Sequence, residues 1–189
     1  MHRREAIQLI AEYMWSLLTP EEAVEAIQAF FNDFIPDELR PQLDPALLGQ
    51  HDRHDVPPMI IPSDPRYQPV LLHQMKRRLR GVTNPYLSAY LYGKMDREVD
   101  VSGEIPELLA CPVCRYRSLP ILGNWDVCPV CGWTSDPVQE AVPDEPVGGN
   151  DVSLKQAREN FDRTGFSSQK ARRRAHPHGK YMYLRAEEA

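Results

Sequence analysis

All four cysteines of this 189-residue chain fall in two identical tetrapeptides, Cys111-Pro112-Val113-Cys114 and Cys128-Pro129-Val130-Cys131. Thirteen residues separate Cys114 from Cys128. A CxxC spacing puts two sulfurs on one tight turn, and two such turns can place four thiolates on one tetrahedron. The donor set Cys111, Cys114, Cys128 and Cys131 therefore predicts one structural zinc ion. Iron in a rubredoxin-like site takes the same ligands, although the thirteen-residue gap is short for it. A redox CxxC pair would want a thioredoxin-type βαβ context, which the flanking sequence does not supply. Catalytic zinc needs an open coordination position, and four cysteines fill all four.

The residues around the cysteines must turn sharply. Gly132 after the second pair suits a left-handed turn; Arg115 after the first would be strained there, or avoid it. Between the pairs, Tyr116–Leu119 and Asn124–Val127 can form a hairpin around Leu122-Gly123-Asn124, which is the plan of a zinc ribbon. Asp136–Asn150 reads as a loop rich in Pro, Gly and acids. Ser153 and Gln156 form a capping box that opens a helix through Ala157, Phe161 and Thr164, with Gly165 beyond its end. From Ser167 to Lys180 the sequence is basic without acids, and residues 168–189 are expected to be a mobile tail.

The front of the chain reads as helices. Ile7, Ile10, Met14, Leu17 and Leu18 have helical spacing over 4–18. Thr19-Pro20-Glu21-Glu22 carries the marks of a second start, with Val24, Ile27, Phe31 and Phe34 as its apolar face and Pro36 as its end. Residues 36–65 hold seven prolines and should be mostly loop, with short helical turns near 37–40 and 45–48. Asp64-Pro65 opens a third helix through Leu71, Met75 and Leu79, its last turns crowded by Lys76, Arg77, Arg78 and Arg80, with Gly81 after it. Asn84-Pro85 starts a fourth, and Val99–Ile105 alternates weakly, like a strand. The fold class expected is α+β: a helical region at 1–104, a small ribbon domain with a capping helix at 105–167, and the basic tail at 168–189.

The stretch CPVCRYRSLPILGNWDVCPVCGWTSD, followed by GGNDVSLKQARENFDRTGF, resembles the bacterial cysteine-rich CPCC domain family. The positions that carry the resemblance are Cys111, Cys114, Gly123, Trp125, Cys128, Pro129, Val130, Cys131 and Trp133. Beyond the cysteines they are Asn150, Ser153, Leu154, Ala157, Arg158, Asn160, Phe161 and Gly165. Coverage is about residues 108–167, and the segment Gly81–Leu87 looks like one that precedes such domains. Val113 stands where the family has a middle cysteine, and Thr134-Ser135-Asp136 where it is more acidic. The resemblance implies a zinc-ribbon-like fold and bacterial origin, and suggests an immunity role against a toxin encoded nearby.

Composition restricts the partners. Net charge is −5, which does not suggest a nucleic-acid binder; the excess acid lies ahead of Glu104. No stretch is long and apolar enough to span a membrane, the amphipathic start does not read as a signal peptide, and reduced thiols fit the cytoplasm. The cluster His51-Asp52-Arg53-His54-Asp55 reads as solvated loop rather than a site, and His176-Pro177-His178 as plain tail. Trp125 and Trp133 are expected to pack around the ribbon. No catalytic constellation stands out. Three functions compete, and the third, an enzyme, has almost no support in the sequence. The first is a non-catalytic protein binder, most concretely an immunity protein that neutralises a cognate toxin. The second is a nucleic-acid-associated zinc ribbon using Arg172–Arg174.

Overall fold

The computed structural model describes residues 1–32, 34–57 and 59–186. It has the α+β character expected and divides into two compact units, Met1–Arg80 with Tyr90–Val101, and Gly81–Ala89 with Ser102 onward. The division does not fall at residue 104: residues 81–89 group with the cysteine-bearing part.

In the first unit, α1 (Arg3–Ser16) and α2 (Pro20–Asn32) both contact α4 (Gln68–Arg78). The start of α2 is the reciprocal capping box: Glu22 N–H donates to Thr19 Oγ1 (3.2 Å), and Thr19 N–H to the Glu22 carboxylate (2.9 Å). The buried face of α2 is Ala23, Ile27, Phe30 and Phe31. Phe34, expected in that face, lies beyond the last turn and is 82% exposed; Leu17, beyond α1, is also exposed. Ala23, Ile27, Phe30 and Phe31 form one apolar core with Ile35, Leu39, Leu43, Leu47, Tyr67, Val70 and Leu71.

The proline-rich stretch contains more helix than expected. Asp44 accepts from the N–H groups of Ala46 and Leu47 and caps α3 (Pro45–Asp52). That extra turn puts His51 in a helix, buried against the rings of Phe30 and Phe31, while Asp52 reaches Arg40 at 3.3 Å. The expected solvated cluster is therefore split, with His51 as a core side chain. Asp64 caps the 3-10 turn Pro65–Tyr67 ahead of α4. Buried Arg3 donates to the Leu79 carbonyl (3.4 Å), a cation at the negative end of α4, and burial lowers its pKa.

The helix α5 (Asn84–Met95) follows Gly81, which has φ +71°. No strand forms over 99–105. In the second unit β1 (Leu109–Ala110) pairs antiparallel with β2 (Arg117–Leu119), so that Leu109 faces Leu119. The expected pairing of Tyr116–Leu119 with Asn124–Val127 is absent among the described residues. Each knuckle instead closes on itself: β1 and β2 flank the first, and a bridge between Val127 and Thr134 flanks the second. A short helix α6 (Pro137–Ala141) interrupts the expected loop, and α7 (Leu154–Thr164) runs from its Ser153 cap to Gly165 (φ +83°) as the sequence indicates.

The expected mobile tail is a packed strap. Residues Ala171–Arg173 make a 3-10 turn and Gly179–Met182 a short helix α8; Ala171, Met182 and Tyr183 are buried. The signal missed is non-local: its hydrogen bonds go to residues some 40 to 100 positions earlier, such as Thr83 N–H to the Met182 carbonyl (2.8 Å). Residues 187–189 of that segment lie outside the described residues, as does Pro58 of the proline-rich stretch. Among the described residues no helix is long and apolar enough to cross a membrane.

Candidate metal centre

Two turns of the same design carry the sulfurs. In the first, Arg115 N–H donates to the Cys111 carbonyl (2.9 Å) and Cys111 N–H to the Tyr116 carbonyl (2.9 Å). In the second, Gly132 N–H donates to the Cys128 carbonyl (2.9 Å) and Cys128 N–H to the Trp133 carbonyl (2.8 Å). Both turns need a left-handed residue after the second cysteine, and both have one: φ is +66° at Arg115 and +76° at Gly132. Arg115 thus does not avoid the left-handed region; the fold holds it there.

The four sulfurs converge. All lie within 4.8 Å of one another, and all four cysteines are buried. Cys111 and Cys131 stand 3.7 Å apart, Cys114 and Cys128 3.6 Å. Each close pair joins one knuckle to the other. A tetrahedral site with metal–sulfur bonds of about 2.3 Å has sulfur–sulfur edges of about 3.8 Å, so the set fits a metal ion. The Ser118 hydroxyl lies 3.1 Å from the Cys128 sulfur, the kind of outer hydrogen bond that orients a ligand. Charge argues the same way. Burial and the neighbouring sulfurs push the Cys111 thiol up, and the sulfur contacts together with burial push Cys131 up. Burial alone would raise Cys128 too, but hydrogen bonds from the other three cysteines and Ser118 bring it down. Ionising all four requires a cation among them.

The strap covers both turns. On the second knuckle Ser167 donates its N–H (2.9 Å) and hydroxyl (3.0 Å) to the Cys131 carbonyl, and His176 N–H donates to the Pro129 carbonyl (2.7 Å). On the first, Arg117 N–H donates to Leu184 (2.8 Å) and Ala186 N–H to Arg115 (2.9 Å), adding a strand-like edge beside β2. From α7, Arg158 donates to the Pro112 carbonyl (2.9 Å). Burial raises the Tyr183 hydroxyl to about 12, with the Cys128 charge adding to it.

Behind the second knuckle lies a polar network. The Asn150 side chain pairs with the Thr134 backbone as a strand would, accepting from its N–H (3.0 Å) and donating to its carbonyl (2.8 Å). It also donates to Gln139 Oε1 (2.8 Å), while Gln139 donates to the Val152 carbonyl (2.8 Å). Fully buried Asp136 caps α6 and accepts from Gly149 N–H (2.6 Å). Asn150→Ala would strand the Thr134 backbone and Gln139 in a dry site. We expect a loss on the order of 3 kcal/mol by urea denaturation; a loss below about 1 kcal/mol would show the network to be dispensable.

The other candidates are dispersed. The two tryptophans part company: Trp133 is fully buried, whereas Trp125 is 55% exposed. Arg172 lies over the Phe166 ring (5.7 Å) and Arg174 donates to Thr134 Oγ1 (2.7 Å), so two of the three tail arginines serve the domain's own packing. The rings of His176 and His178 lie 5.8 Å apart, tilted by 49°, and burial, then the neighbouring His178, lowers the pKa of His176.

Two mirrored CxxC turns, a four-sulfur cluster and a helix laid on it define a cysteine-rich α+β domain able to hold a metal ion. Residues 109–180 match the model of the cysteine-rich CPCC family. The match runs past Gly165 into the strap, well beyond where the sequence resemblance fades. Val113 is buried in its knuckle, so the missing middle cysteine is replaced by a packing side chain and the four clustered sulfurs are unaffected. No curated protein and no solved structure matches the chain.

Proposed function

We propose that this protein is a zinc-stapled, non-catalytic protein binder, and that it acts as an immunity protein which neutralises a cognate bacterial toxin in the cytoplasm. One observation carries the reading: the four buried sulfurs lie within 4.8 Å of one another, close enough for one tetrahedral ion, and the strap closes over both turns. A metal so enclosed has no position left for substrate or water. It would hold the domain together, and the work would fall to the outer surface. Zinc is favoured over iron because two short CxxC turns across a thirteen-residue gap are the ribbon spacing. The family resemblance supports the immunity role.

Native mass spectrometry tests the metal: one zinc per chain is expected, and a folded metal-free protein would refute the staple. Co-expression with the product of the adjacent gene tests the role. Toxicity should fall and the two chains should copurify; undiminished toxicity with no complex would refute immunity. Binding to random DNA or RNA at low salt would instead favour a nucleic-acid-associated ribbon.

A further inference from the structure

The exposed apolar side chains of the second unit are unevenly placed. Ile121, Leu122 and Trp125 are 55%, 42% and 55% exposed on one loop, and Val138 at the start of α6 is 50% exposed. The loop lies against that helix. A side chain at Gly123 would meet Pro137 at 3.2 Å, and Gly123 N–H donates to the Ser135 hydroxyl (2.8 Å), which donates to Glu140 (2.7 Å). Trp125 reaches across to Gly149, where a Cβ would come within 2.8 Å of the ring. These residues form one surface, and contiguous exposed apolar surface of this kind marks an interaction site.

Trp125 is also strained. Its φ is +61°, a region bulky side chains avoid, and its N–H is tied to the Ser135 carbonyl at 2.8 Å. The strain holds a large aromatic ring outward rather than in the core. Strained residues persist where the surroundings over-determine them, often at functional positions, and tryptophan is enriched among the anchor residues of protein interfaces.

Charge identifies the partner. From Ser118 to Leu154 the chain has six acidic residues and neither lysine nor arginine; Asp136 of these is buried and Asp144 pairs with Lys155 (3.1 Å), while Asp126, Glu140, Glu145 and Asp151 are also at the surface. Of the strap's basic residues, Arg174 comes to this region at Thr134. An apolar patch inside an acidic field complements a basic protein surface.

We propose that the 121–125 loop with the start of α6 is the docking surface, and that its partner presents a lysine- and arginine-rich face with an apolar pocket for Trp125. This rests on the protein-binding reading and names the surface and partner chemistry for it. The probe is the adjacent gene's product, with binding measured by surface plasmon resonance to the full-length, zinc-loaded chain. Trp125→Ala should weaken binding about thirty-fold or more. Ile121 is 55% exposed, so Ile121→Lys and Ile121→Glu leave the core intact, remove the same apolar contact and differ only in charge; the lysine variant should bind at least about ten-fold more weakly than the glutamate variant. Zinc content and helix signal confirm that each variant is folded. A complex that forms but tolerates both Trp125→Ala and Ile121→Lys within about three-fold overturns the docking surface and leaves the binding function standing. Equal weakening by the two Ile121 variants overturns the basic partner. No complex with the wild-type chain overturns the function and this inference with it.

Discussion

Replacing Cys128 by serine should unfold the second unit and leave the first folded. Cys128 is the most connected of the four: its sulfur meets Cys114 and Ser118, and its backbone closes both hydrogen bonds of the second knuckle. The size of the effect follows from comparing two energies. Structural zinc contributes about 10–16 kcal/mol to small domains at neutral pH, whereas a whole domain is stable by only about 5–15 kcal/mol. The two β-strands hold two and three residues, too little sheet to stand alone, and Trp133, Val130 and Val113 are buried around the sulfurs. Hydrogen exchange is the measurement. Amides of α7 and the strap should lose protection in Cys128→Ser and in wild-type protein stripped with a chelator. Amides of α1, α2 and α4, which have their own apolar core, should keep it. Retained protection of α7 without metal would refute the staple.

Gly132→Ala should be nearly as damaging, although it removes no ligand. An alanine there must adopt φ +76°, and its Cβ would lie 2.2 Å from the Ala171 carbonyl oxygen. The left-handed backbone alone costs about 1–2 kcal/mol. The clash is with backbone, so the strap must lift, and a total above about 4 kcal/mol places the change among the exceptional ones. Arg115 occupies the matching position in the first turn and is itself a side chain held at φ +66°. Arg115→Gly should therefore leave stability unchanged or raise it by up to about 1 kcal/mol. Urea denaturation at saturating zinc distinguishes them: opposite or widely separated effects are expected, and similar losses from both would show that the two turns are not equivalent in design.

What could be read from the sequence was local. The paired cysteines, the capping box at Thr19, the Ser153 half of the second box, and the left-handed glycines 81, 132 and 165 each act within a few residues, and each appears as expected. What was missed depends on distant partners. Nothing periodic marks residues 167–186 as packed, because their order comes from backbone hydrogen bonds to Cys131, Pro129, Arg115 and Thr83. His51 looked solvated until one more helical turn carried it under Phe30 and Phe31. Trp125 and Trp133 are alike in type and flank the same knuckle, yet one is exposed and the other fully buried, a difference that residue type does not carry. Asn150 was visible as a matched position, but its purpose, standing in for a strand beside Thr134, needed coordinates.

The strap also sets an order of events. All four cysteines leave the ribosome before residues 167–186, so the knuckles could take up a metal ion while still uncovered. Once the strap closes, a bound ion would be shut in, and its exchange with free metal could proceed only as fast as the strap opens by local unfolding. Metal turnover in the mature protein would then report the strap's motion rather than the chemistry of the thiolates.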